Sequence, residues 1–213
     1  MTQKIIPYKG HLNSQRNENT DTGGCAPILG NSYQVGTGTR NSSNAPAYGL
    51  YDYSWYAAIW EYDELGSTAL NPVPMQITGI NIQIAGYSNG YTYNNQTIKL
   101  YHVVESVFDN NGQPIDLSNL TIYDETIVKE NFTWTIFGSG WKSFTFDTNF
   151  CYNGTDNLLL VWENRDGSWA SGFGHGEYEV AVDKAADDRA DNAFPTGNAN
   201  LVTNARINIQ FKK

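Results

Sequence analysis

The side chains in this sequence best suited to chemistry are aromatic. Tyr48, Tyr51, Tyr53, Trp55 and Tyr56 crowd one stretch, and Trp169 and Phe173 flank a Gly- and Ser-containing loop that follows Asp166-Gly167. A flat apolar ring stacks on a sugar as readily as it packs into a core. Because large aromatics dominate sandwich interiors, about half of the first cluster is expected inside. Trp169, on a loop, is the better candidate for contact with a glycan, with Phe173 beside it.

The ionisable residues point nowhere so directly. Of the three histidines, His11, His102 and His175, none stands in the His-Glu-x-x-His zinc pattern. His175 with Glu177 and Glu179 is either a set of metal ligands or a solvated strand face, since alternate strand positions put both glutamates on one side. Asp52, Glu61, Asp63, Glu64, Glu163 and Asp166 are candidate carboxylates for a glycosidase, which needs two at a fixed separation. Spacing along the chain places no such pair, and neither a nucleophile elbow nor a phosphate loop is present. Asn153-Gly-Thr-Asp-Asn157 and Glu163-Asn-Arg-Asp-Gly167 are oxygen-rich loops of the kind calcium uses, without the spacing of an EF-hand. Ordinary turn chemistry between strands accounts for both equally well. No catalytic or cofactor-binding residue is assigned, and the expectation is a protein that is not an enzyme, with calcium as the one candidate cofactor.

Charge excludes partners better than it finds them. A formal net charge of -9 argues against nucleic acid and against an anionic membrane surface. No run is apolar for long enough to cross a bilayer, and the first ten residues lack the apolar core of a signal peptide. The expectation is synthesis in a cytoplasm without export by the general route. A disulfide between Cys25 and Cys151 is then disfavoured.

The elements that must position these residues read as strands. Ile80, Ile82 and Ile84 alternate with polar residues across 77–85, and 97–104 does the same. Residues 86–90 and Asn94-Asn95 supply turn chemistry between the two. Trp141 falls on the opposite face from Phe144 and Phe146, which suggests an edge or bulge near Ser143. Leu158-Leu-Leu-Val-Trp162 is apolar throughout, as a strand covered on both faces would be. The run from Tyr51 reads as strand first, then a short helix or turn at Asp63-Glu64-Leu65, and Arg206–Phe211 alternates as a closing strand. Residues 1–33 show no such periodicity and read as an extended arm, with Ile5, Ile6, Ile28 and Leu29 as its apolar anchors. The expected architecture is all-β: one antiparallel β-sandwich over 34–213 behind that arm.

Several motifs occur in a fixed order: Val35-Gly-Thr-Gly-Thr39, Pro46-Ala-Tyr-Gly-Leu-Tyr-Asp-Tyr-Ser54, Ile77-Thr-Gly-Ile80, Asp116-Leu-Ser-Asn-Leu120, Gly138-Ser-Gly-Trp141, Phe150-Cys-Tyr-Asn-Gly-Thr-Asp-Asn-Leu158 and Asn204-Ala-Arg-Ile-Asn-Ile-Gln-Phe211. Across 35–211 this resembles the β-sandwich module of secreted and surface proteins of Bacteroidota, related to the adhesin domains of gingipain-like proteins. Similar modules occur in virion proteins of phages that infect those bacteria. The resemblance implies a jelly-roll-like sandwich, an adhesive or scaffolding role and, in some members, bound calcium. No calcium ligand is carried over, because no ligand pattern matches residue by residue.

A lone sandwich with an arm and no export signal fits a phage virion component: a capsid decoration protein, a head fibre or a tail fibre. Its expected partners are capsid or tail proteins, further copies of itself, as in fibre trimers, and a host-surface glycan. The alternative is a bacterial surface or secreted adhesin, or carbohydrate-binding module.

Overall fold

Ile80, Ile82 and Ile84 are buried while Asn81 and Gln83 between them are only partly covered, the period of two expected of a strand with one face inward. A computed structural model of the protein describes residues 32–87, 90–108, 117–196 and 201–213. Its strands are β1 (Tyr33–Val35), β2 (Arg40–Ser42), β3 (Tyr53–Trp60), β4 (Met75–Tyr87), β5 (Thr92–Val103), β6 (Ile122–Thr135), β7 (Gly140–Tyr152), β8 (Asn157–Asn164), β9 (Gly174–Ala190), β10 (Leu201–Ile207) and β11 (Ile209–Lys212). Single 3-10 turns lie at Tyr62–Leu65 and Leu117–Asn119.

Every strand pairing is antiparallel. The hydrogen-bonded order is β1-β11-β4-β9-β3-β8-β5-β6, with β7 added to β4 and both β2 and β10 added to β9. This continuous network folds over on itself because β9 is long enough to belong to both layers. Its first residues, 174–176, pair with β4, whereas 185–190 pair with β3. Aromatic contacts mark where the layers face. The rings of Phe144 on β7 and Trp162 on β8 lie 5.1 Å apart, and those of Trp60 on β3 and Phe211 on β11 lie 5.3 Å apart. The protein is an all-β antiparallel sandwich.

Strands β3 and β8 are buried on both faces. Tyr56, Ala58, Trp60, Leu158, Leu160 and Trp162 point into the main core, while Trp55, Ala57, Ile59, Leu159 and Val161 form a second cluster behind it. Phe108, Leu117, Leu120 and Phe194 cover that second cluster. The continuous apolar run at 158–162 is therefore what its sequence suggests. Tyr53–Trp60 followed by the turn at Tyr62–Leu65 likewise matches the strand-then-turn reading.

Three local expectations are corrected. Asn94-Asn95 makes no turn: it lies inside β5 as a bulge, where the register shifts between Tyr93 and Gln96 and Asn95 holds a φ of 50°. An asparagine tolerates that left-handed backbone, and so its turn-like signal was produced by a bulge. Ser143 pairs regularly with Asn81, and the irregularity of β7 falls between Thr145 and Phe150 instead. The closing strand is two strands, because the chain leaves β9 and joins β4 and β1 at Asn208. Asn208 is fully buried and holds that corner: Nδ2 donates to Gly38 O (2.6 Å) and Gln83 Oε1 (3.0 Å), and Oδ1 accepts from Gly38 N (3.1 Å).

A fourth expectation concerns redox chemistry. Cys151 is disulfide-bonded, contrary to the reading drawn from the N-terminal sequence. The other cysteine of the sequence, Cys25, lies outside the described residues, as do the arm anchors Ile5, Ile6, Ile28 and Leu29.

Candidate functional site

The register of β3 decides what meets at one end of the sandwich. Tyr53 pairs with Ala190, and Ser54 pairs with both Arg189 and Asn164. The start of β3 and the ends of β8 and β9 consequently lie side by side. Three segments emerge there together: 46–52 before β3, 165–173 after β8, and 191–192 after β9.

Backbone hydrogen bonds strap the first two segments to each other. Gly167 N donates to Asp52 O and Ala170 N to Gly49 O, both at 2.9 Å. Tyr51 N closes a turn on Tyr48 O (3.3 Å), and Tyr48 N donates to the Ser54 hydroxyl (3.1 Å). From the neighbouring strand, the Tyr91 hydroxyl lies 2.5 Å from Asp166 Oδ2 and Asn94 Nδ2 donates to Asp166 Oδ1 at 3.1 Å. Burial, reinforced by that carboxylate, keeps the Tyr91 phenol protonated far above its usual range. Gly49 permits the close approach of the two segments: a Cβ there would lie 2.5 Å from the Phe173 Cβ.

The result is an open cleft of about 580 Å³ lined by Tyr48, Leu50, Tyr51, Asp52, Trp169, Asp191 and Asn192. Its volume is in the range usual for small-ligand sites, roughly 300–1,000 Å³. The Tyr48 and Tyr51 rings lie 5.3 Å apart, and the Arg189 guanidinium stacks over both, at 4.9 and 5.5 Å from their centres. Arg189 is held in turn by Asp187 (3.4 Å). Burial pushes the Asp187 carboxyl up to about 6, against the pull of Arg189 and the Asn44 amide. Trp169 is 62% exposed, as its loop position suggested. Phe173 is 5% exposed and packs edge-on against Tyr48 at 5.8 Å, so it supports the cleft without lining it. Among the described residues, no hydrogen bond or ion pair engages the side chains of Asp52, Asp191 or Asn192.

The remaining candidates are engaged elsewhere. Glu61 and Glu64 form a reciprocal cap on the 3-10 turn, and both reach Lys184. Glu64 also grips Arg206 with both oxygens (2.6 and 2.8 Å), and Arg206 Nε donates to Glu179 at 3.0 Å. Burial alone would raise the Glu64 carboxyl, but Arg206 outweighs it and holds Glu64 below the usual range. Glu179 is thus committed to an arginine while His175 stacks on Phe173, so the set His175, Glu177 and Glu179 does not converge. Glu163 is paired with Lys99 (2.7 Å) and Arg165 (2.8 Å), which overcome its burial and lower its pKa. In the other oxygen-rich loop, Asn153 Oδ1 accepts from Thr155 N and Asp156 N, which is an Asx turn. Among the described residues no group of three His, Cys, Asp or Glu side chains is disposed to hold a metal.

Sequence reasoning gathered the aromatic half of the cleft and missed much of the polar half. Tyr48, Tyr51 and Trp169 stand out in the sequence as aromatics, and Asp52 stands out only as one carboxylate among several. Leu50, Asp191, Asn192 and Arg189 give no local signal. Only the pairing of Tyr53 with Ala190 brings the end of β9 to this place. Compared with protein-family models, curated proteins and solved structures, the chain has no match in any of the three.

Proposed function

We propose that the protein is a non-enzymatic β-sandwich binding module whose end cleft takes a glycan. One observation supports this above the rest: an exposed tryptophan and two fixed tyrosine rings share an open cleft with polar side chains that have no partner within the described protein. Ring faces offer stacking area to the apolar face of a pyranose. Asp52, Asp191 and Asn192 offer the hydrogen-bonding groups that fix orientation in such sites. The backbone straps between 46–52 and 165–173 pre-organise the platform, so little ordering cost falls on binding.

The test is a glycan array probed with the full chain and with Trp169→Ala. Binding that the substitution removes supports the reading. An array without Trp169-dependent signal overturns it, and hydrolysis of a bound glycan that Asp52→Asn abolishes would convert the module into a glycosidase.

For the assembly that carries the module, we propose a phage particle, on the strength of the sequence resemblance. Cross-links from Lys4 or Lys9 to a capsid or tail protein in purified particles would support it. Cross-links only to envelope proteins, or none, would overturn it in favour of a bacterial surface adhesin, and normal incorporation of a chain lacking residues 1–33 would remove the arm's anchoring role.

A further inference from the structure

The chemistry of the cleft narrows its ligand further. Its walls combine two features that act on charge in the same direction. Aromatic faces attract cations within about 6 Å of the ring centre and offer nothing comparable to anions. Asp52 and Asp191, which line the same space, carry carboxylates that no donor of the described protein neutralises. Arg189, which stacks on the tyrosines of the cleft, does not reverse this. Its guanidinium is spent on the Tyr48 and Tyr51 rings and on Asp187, and its own backbone N–H donates to Asp188 Oδ1 at 2.7 Å. Arg165, in the segment after β8, is likewise spent on Glu163 and the Phe194 ring, so Asp52, Asp187, Asp188 and Asp191 outnumber the cations around the cleft, in a chain of formal net charge -9.

Resting on the glycan-binding reading above, we infer that the cleft selects sugars that carry a free protonated amine, such as oligomers of unacetylated glucosamine. The ammonium would meet the exposed Trp169 ring and a carboxylate together, each stronger for a cation than for a hydroxyl. Uronic acids, sialic acids and sulfated sugars would be repelled by the same groups. N-acetylation removes the charge while keeping the ring, so it separates the electrostatic contribution from stacking.

The experiment is calorimetric titration of the full chain with glucosamine, N-acetylglucosamine and cello-oligosaccharides of equal length and linkage, alongside the array. The glucosamine oligomer is expected to bind roughly tenfold more tightly than either neutral one, as a cation–π contact joined to one carboxylate hydrogen bond would give. That preference should shrink in about 0.5 M salt, where the screening length falls to a few ångströms, and again in Asp191→Asn. Trp169→Ala should abolish binding of all three. Both substituted positions are exposed, and unfolding midpoints equal to that of the unaltered chain would confirm that neither fold is lost. Trp169-dependent binding that favours neutral or acidic sugars would overturn the amine inference and leave the glycan cleft standing. Absence of any Trp169-dependent binding, here and across the array, would overturn both.

Discussion

Two regions of this sandwich bring together aromatic rings, an arginine and several carboxylates, and they use them in opposite ways. Around Arg206 the groups close on one another: Glu64 and Glu179 take its guanidinium, Ile59 O accepts from Nη1, and the Trp60 ring lies 5.8 Å below. The side chain of Arg206 is only 4% exposed, so its partners must come from the protein. Around Arg189 the arginine is again stacked and paired, yet Asp52, Asp191 and Asn192 beside it are left without partners among the described residues. The same residue types hold the fold where their valences are filled internally. Where they are left open to solvent, they are available to a ligand.

Removing Arg206 should break the closed region and produce the largest effect. Arg206→Ala leaves Glu179 without its cation and Glu64 with only the longer contact to Lys184, and loss of one partner of a buried ion pair costs about 3–5 kcal/mol. Urea unfolding should show that drop in stability. A loss of less than about 1 kcal/mol would mean the cluster behaves like an exposed pair.

Acidity sharpens the comparison next, because the two regions respond with opposite sign. The folded-state pKa of Glu64 is depressed, so its contribution is present above the usual carboxylate range and is lost as pH falls through the folded value. Burial raises the Asp187 carboxyl to about 6 from its ordinary value of 3.8. Its ionisation therefore opposes folding above about pH 6, by at most roughly 3 kcal/mol, and acidification through that window relieves the cost. Asp187→Asn should flatten the stability profile between about pH 4 and pH 6. If the profile is unchanged, Arg189 compensates for burial fully. His102 acts in the opposite direction: burial lowers its pKa, so stability falls as pH drops below the ordinary imidazole value of 6.5.

Gly49→Ala should act on the cleft and less on the fold. The added methyl meets Phe173 and must displace the segment that carries Tyr48. A cost of about 1–3 kcal/mol is typical of such overpacking, with sugar affinity weakened as well. Unchanged affinity would show that the Tyr48 turn is not part of the site. Trp169→Ala is at the far end of the scale. Substitutions at exposed positions generally stay within about 0.5 kcal/mol in stability, so its effect should appear in binding alone.

What the sequence disclosed about this site follows from the range of the signals. Strand period and loop composition are local, and they identified β4, β8 and the loop position of Trp169 correctly. The paired burial of Trp55 and Tyr56 on opposite faces was also legible as an aromatic-rich strand. Tertiary register is not local. Asp191 joins the cleft through the pairing of Tyr53 with Ala190, across more than a hundred residues of chain, and nothing in its own neighbourhood announces that. Asn208 shows the same limit: it sits in a perfectly alternating run, and only the neighbours on either side reveal that the chain changes partner there. The Phe173 ring was placed beside the ligand because it follows the right loop, but β9 begins one residue later and draws it inward.

The order of the strands has a consequence for biogenesis. Strand β11 lies between β1 and β4, which are synthesised well before it, and β9 joins the earlier strands β4 and β3. Until β9 and β11 have emerged, β4 keeps one edge unpaired, and such edges are templates for unwanted pairing between chains. Native pairing of β4 is therefore expected to be completed only once β11 is available. A chain stalled shortly before residue 209 would be held as an aggregation-prone intermediate, however complete its core residues already are.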